Sequence, residues 1–503
     1  MADKIVVYKK DEASLLLGCD GGIAMELSEY FSFFVPGYKW MPAFKNKIWD
    51  GKIRIFNALT KEFPVGLLPY LKSFAESRQY ELDYEDGPAG PPEVFNKVDP
   101  NQIMSFVKSL NLHSRNQPVE IRDYQFDAVC EAIHRRRTIL LSPTGSGKSM
   151  IIYTLMRWYL ENHNKKVLVI VPTTSLVQQM YSDFADYSTH DNDFNAEQDC
   201  HVIYSGQPKT AIQERVFIST WQSIYKLPAT WFNQFGAIFG DECHGFKSKS
   251  LSSIMNKAKD APYRFGTTGT LDGTQTHQLV LEGLFGKTMK VTTTKKLQDA
   301  NTLADLEISM LHLEYDDEVR KMVSGAKYQD EIDFLVRYEK RNKFIRNLAL
   351  SQSGNTLILF QFIEKHGKVL YNLIREKAEE DRKVFFVSGE TDTSDREAIR
   401  RITESQENAI IVASFGTFST GINIRNIHNV IFASPSKSQI RVLQSIGRGL
   451  RKSDDGRTTK LFDIMDDLNH GKSTKNYSYQ HAEARLKIYK REKFKTKVHK
   501  VKI

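Results

Sequence analysis

The octapeptide Ser142-Pro143-Thr144-Gly145-Ser146-Gly147-Lys148-Ser149 joins two glycines to a lysine and a terminal hydroxyl. An apolar run at 138–141 precedes it and a helical pattern at 150–156 follows, so strand, loop and helix come in the order that builds a phosphate cradle. Gly145 and Gly147 allow backbone N–H groups to turn onto a polyphosphate, with Thr144 and Ser146 completing the loop. Lys148 pairs with the β- and γ-phosphates, Ser149 holds Mg²⁺, and the helix start adds partial positive charge. Ser142 stands where the usual pattern has its first glycine. The chemistry implied is binding of a nucleoside triphosphate, with ATP and Mg²⁺ as the groups taken.

Asp241-Glu242-Cys243-His244 follows the apolar segment 237–240, which sets two carboxylates at the end of a buried strand, where ligands bind in open α/β sheets. Asp241 is placed to hold Mg²⁺, partly through water. Glu242 is placed to orient and deprotonate the attacking water. In Gln444-Ser445-Ile446-Gly447-Arg448-Gly449-Leu450-Arg451, the two arginines lie three apart on one helical face. Such guanidinium groups stabilise charge developing on a γ-phosphate. Lys148, Asp241, Glu242, Gln444, Arg448 and Arg451 form the expected catalytic set.

These groups need two sheets to carry them. Apolar runs at 167–171, 216–220, 236–240 and 264–268 predict a parallel, helix-covered sheet. After 292–296 the pattern starts again, with strands expected at 356–360, 384–387, 409–413 and 430–433. Charged helical stretches at 328–350 and 366–382 read as solvated faces over the second sheet. The turn-rich 86–92 marks the end of a smaller N-terminal module. The expected division is an accessory, nucleic-acid-binding domain at 1–95, motor domains at 96–300 and 301–470, and a basic tail at 471–503.

At 503 residues the chain is long enough for several cores. It has no run apolar enough to span a membrane and begins without a signal-peptide pattern, so a cytoplasmic protein without a membrane partner is expected. Four dispersed cysteines argue against a disulfide scaffold or structural zinc. The segment 471–503 carries nine Lys and two Arg against two Glu, which accounts for the whole formal charge of +9. That segment is either a solvated end or a phosphate-binding one, and its interleaved tyrosines favour nucleic acid.

The order of these elements resembles the superfamily-two helicases, in which two tandem RecA-like domains hold ATP between them. Arg122-Asp123-Tyr124-Gln125 is similar to the motif whose glutamine reads adenine, which gives Gln125 that role by resemblance. Val171-Pro172-Thr173-Thr174 and Ser219-Thr220-Trp221-Gln222 resemble the motifs that grip a nucleic-acid backbone, here through Pro172, Thr173, Thr220 and Trp221. Thr268-Gly269-Thr270 sits at the position of the coupling motif. The segment 413–423 resembles the motif that touches both nucleic acid, through Ser414 and Thr417, and nucleotide, near Gly421.

More narrowly, the chain resembles the UvsW-type recombination and fork-remodelling helicases of tailed phages. The carrying residues are Gly37-Tyr38-Lys39-Trp40-Met41-Pro42, Ile48-Trp49-Asp50-Gly51-Lys52-Ile53-Arg54, Trp231-Phe232-Asn233-Gln234-Phe235-Gly236 and Arg341-Asn342-Lys343. The resemblance implies an α/β fold of two RecA-like parallel-sheet domains with a small N-terminal α/β domain. It also implies an ATP-dependent DNA helicase acting on forks, Holliday junctions and R-loops in recombination, repair and replication, in the host-cell cytoplasm. Read alone, 37–54 is either a stacking surface built on Trp40, Trp49 and Lys52 or a small core with a basic rim. RNA in R-loops is a further partner. An RNA helicase, or an annealing protein with a switching ATPase, is the competing function.

Overall fold

The computed structural model describes residues 4–503 apart from 205, 211–212, 272, 301–302, 392, 422–425, 435–457 and 472–475. Its contacts divide into two units, Met1–Ser142 with Gly147–Val291, and Pro143–Ser146 with Thr292–Ile503. Among the described residues no helix is long and apolar enough to cross a membrane.

The first unit begins with a four-stranded sheet in the order Glu62–Pro64, Ser14–Gly18, Lys4–Lys9, Glu81–Glu85. Alternate residues of Lys4–Lys9 are buried, as a sheet with one covered face requires. Helices Gly21–Tyr30 and Leu68–Arg78 supply that cover, and Ile5, Val7, Leu15, Leu27, Leu71 and Phe74 meet beneath them.

The same unit then forms a seven-stranded sheet in the order Cys200–Ile203, Val216–Thr220, Lys166–Val171, Phe235–Asp241, Tyr263–Thr268, Arg137–Leu141, Thr288–Lys290. Every pairing is parallel. Central strands such as Val216–Thr220 are buried at every position because helices cover both faces. That is why they read as unbroken apolar runs.

The second unit holds another seven-stranded, all-parallel sheet: Val384–Val387, Ile410–Ser414, Thr356–Phe360, Asn429–Phe432, Thr459–Asp467, Leu306–Glu314, Lys495–Lys502. The architecture is therefore the expected pair of RecA-like parallel-sheet domains with a small N-terminal α/β domain. The predicted helical stretch at 328–350 is two helices, Tyr328–Arg337 and Glu339–Ser351.

The expected basic tail needs correction. Helix Tyr477–Arg491 and strand Lys495–Lys502 belong to the second unit, the strand closing one edge of its sheet beside Leu306–Glu314. Two buried groups fasten the helix. Glu331 accepts from the backbone N–H of Tyr477 at 2.9 Å and of Ser478 at 2.7 Å, capping the helix start. Arg485 makes paired bonds to Asp463, at 2.8 Å from Nε to Oδ2 and 2.7 Å from Nη2 to Oδ1, and Tyr489 donates to the same carboxylate at 2.6 Å. A second ion pair, Arg341 with Asp466 at 2.7 Å, lies as deep in the same domain. Both carboxylates are fully buried, so either one left without its arginine would be a stranded charge.

Arg485→Met is expected to cost about 3–5 kcal/mol, because it leaves the fully buried Asp463 carboxyl without its guanidinium partner. Thermal unfolding of the full chain, followed by circular dichroism, should show a markedly lower transition for this variant and an unchanged one for Lys497→Met on the exposed edge strand.

Candidate nucleotide site and nucleic-acid interface

The phosphate loop leaves the strand Arg137–Leu141 and enters the helix Lys148–Asn162. Ser142 donates its backbone N–H to the Thr268 carbonyl at 2.9 Å and takes no left-handed conformation, so a residue other than glycine fits there. The two loop glycines do need to be glycines. Gly145 has φ +83° and Gly147 φ +80°, and a Cβ on Gly147 would also lie 2.2 Å from Gln125 Nε2. Ser146 turns its hydroxyl back to the Pro143 carbonyl at 2.6 Å, closing the loop on itself. Thr144 is half-buried in the loop's bend.

Gln125 packs against Gly147 and is almost fully buried. Its Oε1 accepts from the Arg122 backbone N–H at 2.9 Å, capping the start of helix Asp123–Arg135. The glutamine assigned to adenine by resemblance therefore also holds its own helix against the phosphate loop. Ser149 Oγ lies 2.9 Å from the Tyr187 hydroxyl, a partner no motif pointed to.

Asp241 is the last residue of the strand Phe235–Asp241 and Glu242 the first beyond it. Thr267, on the neighbouring strand, donates to Asp241 Oδ1 at 2.7 Å. Burial, and then the adjacent Glu242 carboxylate, push the Asp241 pKa up, while Lys148 and the Thr267 bond pull it back. A divalent cation would reverse that balance outright. Glu242 adopts φ +48°, which turns its side chain toward Lys148: the ammonium is 3.5 Å from Oε1. His244 Nδ1 lies 3.3 Å from the other oxygen, Oε2, and 3.0 Å from Thr268 Oγ1. Cys243 is fully buried and its thiol pKa is pushed well up, chiefly by burial, so it offers no nucleophile.

The donor set suits Mg²⁺. A serine hydroxyl and a carboxylate are hard oxygen ligands, and a Ser149 hydroxyl that donates to Tyr187 keeps its lone pairs for a cation. Mg²⁺ would be held by Ser149 and Asp241, where it neutralises phosphate charge.

Motif residues expected at nucleic acid fall at strand ends. Thr173 caps helix Thr174–Tyr187 by accepting from the Leu176 N–H at 3.4 Å. Gln222 donates to the Pro172 carbonyl at 3.4 Å, tying that turn to the next one. There Thr220 precedes helix Trp221–Ile224, bonds Ser223 at 2.9 Å, and half-buried Trp221 stands edge-on to Tyr225. In the second unit, Ser414 accepts from the Thr417 N–H at 3.2 Å at the start of helix Phe415–Gly421. Gln444, Arg448 and Arg451 lie outside the described residues.

In the N-terminal module, Trp40 is 78 % exposed with the Lys45 ammonium 5.7 Å from its ring, and Lys52 lies 5.1 Å from the half-exposed Phe34 ring. Trp49 is half-buried and donates its indole N–H to the Lys52 carbonyl at 2.8 Å, bracing the turn. His277, Tyr187 and Thr267 touch the site's residues but lie in no recognisable motif. Only the fold reveals them.

Comparison with known proteins agrees with this geometry. Residues 4–85 match the family of the UvsW DNA helicase N-terminal domain, 118–273 the type III restriction enzyme res subunit, and 339–453 the helicase conserved C-terminal domain. The chain is 35 % identical to the ATP-dependent DNA helicase uvsW of Enterobacteria phage T4, over 97 % of this chain and 98 % of that one. It is 27 % identical to the DNA 3'-5' translocase XPB2 of Sulfurisphaera tokodaii, covering 84 % and 93 %. The crystal structure of phage T4 UvsW superposes with a TM-score of 0.51 at 33 % identity, over 99 % of both chains. With its nucleotide loop, its acidic pair and both RecA-like sheets in place, the chain belongs to the UvsW family of ATP-dependent DNA helicases.

Proposed function

We propose that this helicase remodels branched DNA: forks, Holliday junctions and R-loops, with the displaced RNA of an R-loop as a secondary partner. The observation that carries the reading is the exposed aromatic and basic surface of the N-terminal module. Trp40 is open with Lys45 above its ring, half-exposed Phe34 stacks on Tyr38 with Lys52 over its ring, and Ile48 is 79 % exposed. A sequence-tolerant contact to unstacked bases needs flat rings beside cations. The exposed Lys495 and Lys497 of the C-terminal edge strand add phosphate contacts of a kind that reads no sequence.

In the motor, Lys148 holds the β- and γ-phosphates, and the N–H groups of 144–149 line their oxygens. Mg²⁺, when bound, neutralises charge on the phosphates. Glu242 takes a proton from the attacking water, its carboxylate lying 3.5 Å from the Lys148 ammonium. Arg448 and Arg451, carried by the second RecA-like domain, stabilise charge in the transition state. Cycles of binding and hydrolysis become movement because the two nucleotide states grip a strand differently. Pro172, Thr173, Thr220, Trp221, Ser414 and Thr417 supply the grip.

Comparing ATPase stimulation by a forked DNA, a linear duplex, single-stranded DNA and single-stranded RNA tests the substrate. The fork should stimulate most, and RNA dominance would replace the reading with an RNA helicase. Trp40→Ala should narrow the gap between fork and duplex with no loss of fold, since the ring is exposed. An unchanged gap would remove the N-terminal surface from junction recognition.

Lys148→Ala should abolish hydrolysis. Glu242→Gln should bind ATP normally, measured with a fluorescent analogue, and turn over about a hundredfold or more slowly. Failure of Glu242→Gln to bind nucleotide would make Glu242 part of the metal site instead. Arg448→Ala and Arg451→Ala should keep ATP affinity and lower kcat by about a thousandfold, with the larger loss at Arg451.

A further inference from the structure

Helix Gln275–Phe285 belongs to two cores at once. Leu279 packs among the buried side chains of the N-terminal module, while Leu281, Leu284 and Phe285 sit in the core under the first RecA-like sheet. The same helix packs against the turn Val65–Leu67 of the module and against Cys243–Lys247, the turn directly after Glu242.

The first contact is backbone on backbone. A Cβ on Gly66 would lie 2.0 Å from the Glu282 carbonyl and 2.9 Å from that of Gly283, so only glycine allows the approach. Glu282, fully buried, locks it: its carboxylate accepts from the Tyr70 hydroxyl at 2.5 Å, from Gln278 at 2.9 Å and from the Thr288 N–H at 2.9 Å.

The second contact reaches the chemistry. His277, 4 % exposed, has Nε2 2.9 Å from the His244 carbonyl oxygen. A carbonyl only accepts, so Nε2 carries the proton and donates. The His244 ring in turn touches both Glu242 Oε2 and Thr268 Oγ1. Glu242 itself sits in left-handed backbone, a conformation disfavoured for its residue type and kept only where surroundings impose it.

We propose that His277 is a positioning residue for Glu242, and that through helix Gln275–Phe285 the N-terminal module is mechanically part of the hydrolytic apparatus. Donation from His277 fixes the peptide plane after His244, which fixes the His244 ring and with it the Glu242 carboxylate. The proposal rests on the reading of Glu242 as the water-activating base.

The test measures kcat and KM for ATP, at saturating forked DNA, for the full chain and its variants, with melting temperatures alongside. His277→Leu should lower kcat by about tenfold with KM within twofold, and His277→Gln, whose amide donates at similar reach, should recover most of it. Tyr70→Phe, at the far end of the helix, should lower kcat about two- to threefold without moving KM. Normal turnover in His277→Leu overturns the positioning role, as does an equal loss in the Leu and Gln variants. Unchanged kcat in Tyr70→Phe overturns the mechanical link even where His277→Leu is too unstable to assay. Glu242→Gln is the separate control: if it hydrolyses ATP normally, the reading of Glu242 falls independently of either result.

Discussion

The register of one strand sets the nucleotide end of the first motor domain. Tyr263–Thr268 lies between Phe235–Asp241 and Arg137–Leu141, with Thr267 opposite Asp241 and Thr268 opposite Leu141. All three strands run the same way, so their carboxyl ends open on one edge, and a slip of one residue would turn every side chain to the other face. That single alignment brings the Thr267 hydroxyl to Asp241, the Thr268 carbonyl to the first residue of the phosphate loop, and the Thr268 hydroxyl to His244. The catalytic groups come from three stretches of sequence, yet their spacing is a property of the sheet.

Buried charge is paired in both motor domains. In the first, Arg157 binds Asp191 in the interior, while Lys148 and Glu242 stand at the open end of the sheet. In the second, Asp463 and Asp466 are sealed in and matched by Arg485 and Arg341. Arg341 accounts for part of the phrase Arg341-Asn342-Lys343 that carries the family resemblance. Its guanidinium reaches Asp466 and the Ala433 carbonyl, so it serves the fold and not the substrate. Buried pairs of this kind gain little over apolar packing, whereas loss of one partner strands the other.

The sequence was most legible where burial is complete. Strands 216–220 and 356–360, buried at every position, coincide with the apolar runs that predict them, as does the half-buried edge strand 384–387, and the neighbouring ones shift by a residue or so. Strand Thr459–Asp467 escaped because its apolar run is broken by carboxylates whose partners are distant in sequence. Strand Lys495–Lys502 escaped because an edge strand with exposed lysines has the composition of a solvated tail. The same split applies at the site. Lys148, Asp241 and Glu242 stand in contiguous motifs, each legible because one ligand imposes the spacing. His277 and Tyr187 act through contacts that only tertiary structure creates, and nothing local marks them.

Strand Leu306–Glu314 opens the second sheet in sequence order, and both of its neighbours, Thr459–Asp467 and Lys495–Lys502, come from the final stretch of the chain. During synthesis this strand leaves the ribosome long before either neighbour exists, with its N–H and C=O groups unsatisfied and its apolar residues uncovered. The first unit has a strand in the same position, since Arg137–Leu141 lies between Tyr263–Thr268 and Thr288–Lys290, both made long after it. Each motor therefore carries a strand that must wait for both of its partners, and that interval is when its open edges can mispair.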